Sequence, residues 1–91
     1  MTEKLTIRLS SDDFANAQEV HEYLADLLQF PTYYGYNADA LIDCLEDLCG
    51  QVSFELTPCA KGQDPAWFTR IVDALNFASR ENPVVSTYWV E

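Results

Sequence analysis

Ninety-one residues, 48% hydrophobic and 13% aromatic, make one folded domain spanning 1–91 and exclude a disordered chain. Fifteen acidic residues against five basic ones leave a formal net charge of −10. That balance excludes nucleic acid as a direct ligand, because phosphate backbones are held by Lys and Arg. It disfavours the anionic face of a membrane and favours a cationic partner.

Met1-Thr2-Glu3-Lys4 lacks the basic start and apolar run of a secretory signal. No apolar stretch reaches the ~20 residues that cross a bilayer, so a cytoplasmic location is expected. Lys4 to Leu9 (KLTIRL) alternates polar and apolar residues and reads as a first strand. Ser10 to Asp13 is a polar break, and Asn16 with Glu19 three residues later resembles a capping box. The helix that follows places Val20, Tyr23, Leu24, Leu27 and Leu28 on one stripe and must end before Pro31.

Phe30 to Tyr36 (FPTYYGY) is an aromatic loop hinged at Pro31 and Gly35. Asn37 caps a second helix, with Asp39 in its first turn complementing the dipole. Apolar residues recur at Ala38, Leu41, Ile42, Leu45 and Leu48, and Gly50 stops the run. Val52 to Leu56 is a second strand, and Thr57 to Gln63 a connection rich in turn residues. Asp64-Pro65 supplies an N-cap and a proline at the first helical position. Phe68, Ile71, Val72 and Leu75 mark a third helix to about Glu81. Asn82-Pro83 breaks it, and Val84 to Val90 is a final β-branched and aromatic strand. The order β-α-α-β-α-β predicts an α/β domain with a mostly parallel sheet and helices packed against it.

Cys44, Cys49 and Cys59 are an odd set without a CxxC pair, which reads as free thiols of a reducing compartment. With a single histidine, no metal site is expected, and the cysteines read as packing residues. Were Cys44 and Cys49 on one helix, their spacing would turn them to different sides. His21 reads as a packing or hydrogen-bonding residue of the first helix.

The distribution of charge is the sharpest feature. Between Leu9 and Ala60 there is no Lys or Arg, against ten acidic residues. On the second helix Asp39, Asp43, Glu46 and Asp47 fall at i, i+4, i+7 and i+8 and share one face. Like charges at that spacing cost a few tenths of a kcal/mol each, which a solvated surface tolerates and a cationic partner requires. Tyr33, Tyr34 and Tyr36 stand beside this ridge, and tyrosine is a common interface anchor. One or more of these rings is expected to cover the core. Paired carboxylates could instead serve as a general acid and base, but that needs two different environments across a cleft. Four acids on one convex helix face do not supply it. No catalytic residues and no cofactor are expected.

The fifteen residues from Pro31 to Leu45 (PTYYGYNADALIDCL) resemble the barstar family of intracellular ribonuclease inhibitors. The family pattern is a proline, paired tyrosines, glycine, asparagine, then Asp-Ala-Leu, a variable residue, Asp and often Cys. His21 in the first helix and the order of elements are similar too. The resemblance implies a small three-stranded parallel sheet packed with helices, and inhibition by occlusion. In that family the tyrosine loop and the helix after it plug the active site of the basic ribonuclease barnase. Position by position, the contact residues it implies are Tyr33, Gly35, Asn37, Asp39, Ile42, Asp43 and Glu46. Asp43 would fill a phosphate subsite made of Arg and His, Asp39 would pair with a neighbouring cation, and Tyr33 would pack on the enzyme's active-site histidine.

The chain also departs from the family. Ile42 stands where barstar has tryptophan, Tyr36 replaces an acid and Glu46 a threonine. The stretch from Leu75 to Arg80 lacks the acid of the family's last helix. Thr57 to Asp64 is shorter than the family's third helix and holds Pro58 and Gly62, which reduces that helix to a turn. Sequence and resemblance together predict an inhibitor of a basic ribonuclease or ribonuclease-like toxin, monomeric when free. The rival readings are an acidic interaction module binding a cationic non-nuclease protein, and a small hydrolase using Asp39 and Asp43. A hydrolase requires a concave pocket around those two aspartates, where the inhibitor requires a protruding convex helix.

Overall fold

The computed structural model describes residues 4–90; Met1 to Glu3, part of the segment read for a secretory signal, and Glu91 lie outside the described residues. The chain forms β1 (Leu5–Ser10), a 3-10 turn (Ser11–Asp13), α1 (Ala17–Leu28), α2 (Ala38–Glu46), β2 (Val52–Thr57), α3 (Ala66–Glu81) and β3 (Val85–Trp89). The three strands form one parallel sheet in the order β1-β2-β3. This is the α/β class with a three-stranded parallel sheet that the sequence indicates.

Strand alternation divides the sheet into two chemically different faces. Ile7 pairs with Phe54, and Leu9 with Leu56, in one apolar tier after another. These four side chains are buried with Val20 and Leu24 of α1, Leu41 and Leu45 of α2, and Phe68, Ile71 and Leu75 of α3. Fully burying an aliphatic or aromatic side chain contributes roughly 1.5–3 kcal/mol, so this cluster holds the helices to one face. The opposite face is polar. There Ser53 Oγ meets Ser86 Oγ at 2.8 Å, and Arg8 Nε lies 2.9 Å from Glu55 Oε2. Tyr88 donates its hydroxyl hydrogen to the same carboxylate at 3.3 Å.

Several boundaries differ from the sequence reading for identifiable reasons. Within α1, Val20 and Leu24 are buried as expected, but Tyr23 and Leu27 are about 40% exposed. The buried stripe runs instead through His21, and Tyr23 lies against Phe14, ring centroids 5.5 Å apart. Asn16 accepts the Glu19 N–H at 3.1 Å, while the Glu19 carboxylate accepts from Ala15 rather than from Asn16. α1 ends at Gln29, in the left-handed region at φ 56°, ahead of Pro31.

α2 stops at Glu46, short of Leu48 and Gly50, so Gly50 is not its terminator. The Asn82 amide nitrogen reaches the carbonyls of Leu45, Glu46 and Leu48 at 2.9, 3.2 and 3.1 Å. A side chain from beyond α3 thus satisfies the orphan carbonyls at the end of α2. α3 has Pro65 as its N-cap, one residue later than expected. Asp64 is engaged elsewhere, accepting the Ser11 hydroxyl at 2.6 Å. Asp12 likewise accepts the Ala60 N–H at 2.7 Å, so two carboxylates tie the helix-free 58–65 connection to the 3-10 turn.

Candidate partner-binding site

The aromatic loop is built around Tyr34. Its hydroxyl lies 2.6 Å from His21 Nδ1, and its ring packs on Phe30 and Tyr36 with centroids 4.8 and 5.1 Å away. Burial holds the His21 imidazole below its ordinary value of 6.5 and pushes the Tyr34 phenol up. His21 is therefore the packing and hydrogen-bonding residue its sequence context suggests. With Tyr34 anchored inside, its neighbour Tyr33 turns outward and is 85% exposed. An exposed aromatic of that size is the kind of group an interface uses.

The junction between loop and helix is made by Gly35, Tyr36 and Asn37. Tyr36 sits at φ 55°, a left-handed conformation disfavoured for a bulky residue, and its ring packs at a tilt of 59° against Tyr34. Asn37 donates to the Gly35 carbonyl at 3.3 Å and accepts the Ala40 N–H at 2.8 Å. One side chain thereby caps α2 and fixes the loop to it. A Cβ on Gly35 would lie 3.0 Å from the Asn37 amide nitrogen, so a side chain here would press on the group that caps α2. Gly35 and Asn37 thus have a structural duty apart from any contact with a partner.

α2 then sorts its side chains by helical period. Leu41 and Leu45 are fully buried, and Asp39, Asp43, Glu46 and the C-cap residue Asp47 are exposed on the other side. Ile42 is half-buried and turns toward α3, lining a cavity with Ala38, Ala74 and Phe77. Among the described residues the salt bridge is Arg8–Glu55, on the far face of the sheet, so no cation pairs with the acids of α2. The structure thus brings Tyr33, Asp39, Asp43 and Glu46 to one exposed region, with Ile42 at its edge.

Two expectations about this region need correction. Asp43 does not stand on a purely convex surface; it lines a cavity with Asp47, Tyr33, Leu28, Phe30, Pro31, Cys44 and Leu48. Asp39 is not among the residues of that cavity, so the two aspartates of the hydrolase reading do not share it. The cysteines, all free, are not uniformly packing residues: Cys59 is buried, Cys44 half-buried and Cys49 exposed beyond the end of α2. Burial, and then the neighbouring carboxylates of Asp43 and Asp47, push the Cys44 thiol up. The sequence ridge contained Asp47, but only the fold shows it facing a cavity wall. Asn82, which ends α2 and so places Asp47 at its terminus, gave no signal beyond an Asn-Pro pair after a helix.

Among the described residues no three His, Cys, Asp or Glu side chains could hold a metal ion together, and no helix is long and apolar enough to cross a membrane. The molecule belongs to the class of small parallel α/β proteins that expose an acidic helix beside a tyrosine loop. Residues 5–85 match the family model described as barstar (barnase inhibitor), and the chain belongs to the barstar family. A relative from Bacillus subtilis (strain 168), named "Putative ribonuclease inhibitor YrdF", is 47% identical over 51 residues. That match covers 56% of this chain and 53% of the relative, so it spans about half of each protein.

Proposed function

We propose that this protein is an inhibitor that binds a basic ribonuclease, or a ribonuclease-like toxin, and occludes its active site. The observation that carries the reading is the unpaired carboxylate face of α2 beside the exposed Tyr33 ring. A ribonuclease holds its substrate's phosphates with cationic groups, and carboxylates set on a rigid helix can occupy the same positions. Asp43 takes the central phosphate subsite, Asp39 and Glu46 pair with flanking cations, and Tyr33 packs on the enzyme's catalytic imidazole. Ile42 supplies an apolar contact at the edge, and Gly35 and Asn37 hold the loop against the helix. Barstar family membership and the name of the Bacillus subtilis relative support this reading.

The protein acts by binding alone, needs no cofactor and catalyses no reaction. It works in the cytoplasm as a monomer until it meets its target, protecting the cell that makes the enzyme. Removing the opposed charges from water is offset only where each is fully paired, which makes the complex selective for a complementary cationic cleft. The test is to titrate RNA cleavage by the basic ribonuclease that the protein captures. Activity falling linearly to zero at equimolar protein supports the reading, and cleavage unchanged by saturating protein refutes it.

A further inference from the structure

Asp47 is the acid of the α2 ridge that the inhibitor reading leaves without a role. It is the C-cap of α2, and no basic residue occupies the last turn of that helix. A negative charge at a helix C-terminus opposes the negative end of the helix dipole, so Asp47 gains nothing from that dipole, although Asn82 bonds the carbonyls there. Solvent tolerates such a charge, and a cation beside it would turn the cost into a gain.

The structure provides room for one. Asp47 and Asp43, one helical turn apart, line the same cavity of about 270 Å³ between α2 and the loop after α1. Its remaining lining is mostly apolar or aromatic, Leu28, Phe30, Pro31, Leu48 and the Tyr33 ring, with Gln29 as an uncharged polar member. The Cys44 thiol sits in the same wall and feels both carboxylates. No Lys or Arg of the chain lines the cavity. Two carboxylates over an apolar floor suit a long basic side chain, whose methylenes cover the floor while its charged head meets the acids. A planar guanidinium can bond both carboxylates and lie against an aromatic ring, which an ammonium does less well.

We infer that this cleft receives an arginine side chain of the protein partner, held by Asp43 and Asp47 together with Tyr33. The inference rests on the inhibitor reading and names what that partner must present. Asp47 is then a specificity-determining residue, since it supplies the second carboxylate that a ridge ending at Glu46 would lack.

The test uses the ribonuclease inhibited by the full chain, with Asp43→Asn, Asp47→Asn and the double variant. Asp47→Asn is expected to weaken binding by about ten-fold or more, the usual loss for a charge-assisted hydrogen bond. The urea midpoint of the free variant should equal or exceed wild type, because the unfavourable helix-end charge is gone. The double variant should lose less than the product of the single losses, since both acids hold one side chain. In the complex, alkylation of Cys44 should slow relative to the exposed Cys49, which serves as the internal reference. Binding by Asp47→Asn within two-fold of wild type, or equal alkylation of Cys44 in free and bound protein, overturns the inference. If Asp43→Asn weakens the complex while Asp47→Asn does not, the inference fails and the inhibitor reading stands. If the wild-type chain binds no ribonuclease, both fall.

Discussion

His21 and Tyr34, thirteen residues apart, share a 2.6 Å hydrogen bond between Nδ1 and the phenolic oxygen, beneath the loop that exposes Tyr33. The bond links α1 to the candidate site and makes that region sensitive to acid. Burial lowers the His21 pKa in the folded state, so the unfolded chain takes up its proton first as pH falls. Stability from this group is therefore complete above the ordinary value of 6.5 and declines as pH drops below it. Urea midpoints between pH 8 and 5 should fall more steeply for wild type than for His21→Gln. Tyr34→Phe, which deletes the hydroxyl and leaves the imidazole nitrogen unpaired, should cost about 1–2 kcal/mol at neutral pH.

Asn82 should be among the most sensitive polar positions in the chain. It is buried, its amide serves three carbonyls at the end of α2, and its oxygen accepts the Val84 N–H at 3.2 Å. Asn82→Ala leaves several of these groups unsatisfied and should cost about 2–3 kcal/mol in urea denaturation. Asn82→Asp keeps the acceptor but sets a carboxylate against carbonyl oxygens, and should cost more.

The two adjacent tyrosines should separate folding from binding. Tyr33 is 85% exposed and Tyr34 only 5%. Tyr33→Ala should leave the denaturation midpoint within about 0.5 kcal/mol of wild type, as surface changes usually do. Its ribonuclease complex should nevertheless dissociate at least ten-fold faster. Tyr34→Ala should lose about 3–5 kcal/mol of stability, the range for an aromatic truncated in a core.

Charge should govern the approach of the partner. The chain carries −10 overall, and the acids of α2 have no paired cation among the described residues. Association with a basic ribonuclease should therefore slow steeply as salt rises, in stopped-flow measurements. Asp39→Asn should lower the association rate and flatten that salt dependence. Both changes are the signature of a charge that steers encounter.

Most of the fold was legible because its signals are local. The alternation of Lys4 to Leu9, the Asn16 and Asn37 caps and the apolar stripe of α3 each depend on a few neighbouring residues. The places where the sequence misled were settled by distant partners. Ser11 draws Asp64 away from capping α3 across 53 positions, and Asn82 closes α2 from 37 positions beyond Leu45. Gly50 looked like a helix stop because glycine usually is one, yet a side chain from another element had already ended the helix. At the candidate site, helical spacing showed that the acids share a face but could not show that Asp47 and Asp43 look into one cavity. That depends on Phe30 and Pro31, which the fold brings across from the loop.

The most direct measurement is capture from the lysate and secreted fraction of the source organism, comparing wild type with the Asp39→Ala/Asp43→Ala variant. An inhibitor acting through α2 should recover a basic ribonuclease with wild type alone and block its cleavage of RNA. Recovery of the same proteins by both forms, or a captured ribonuclease that cleaves RNA undiminished, would contradict the account.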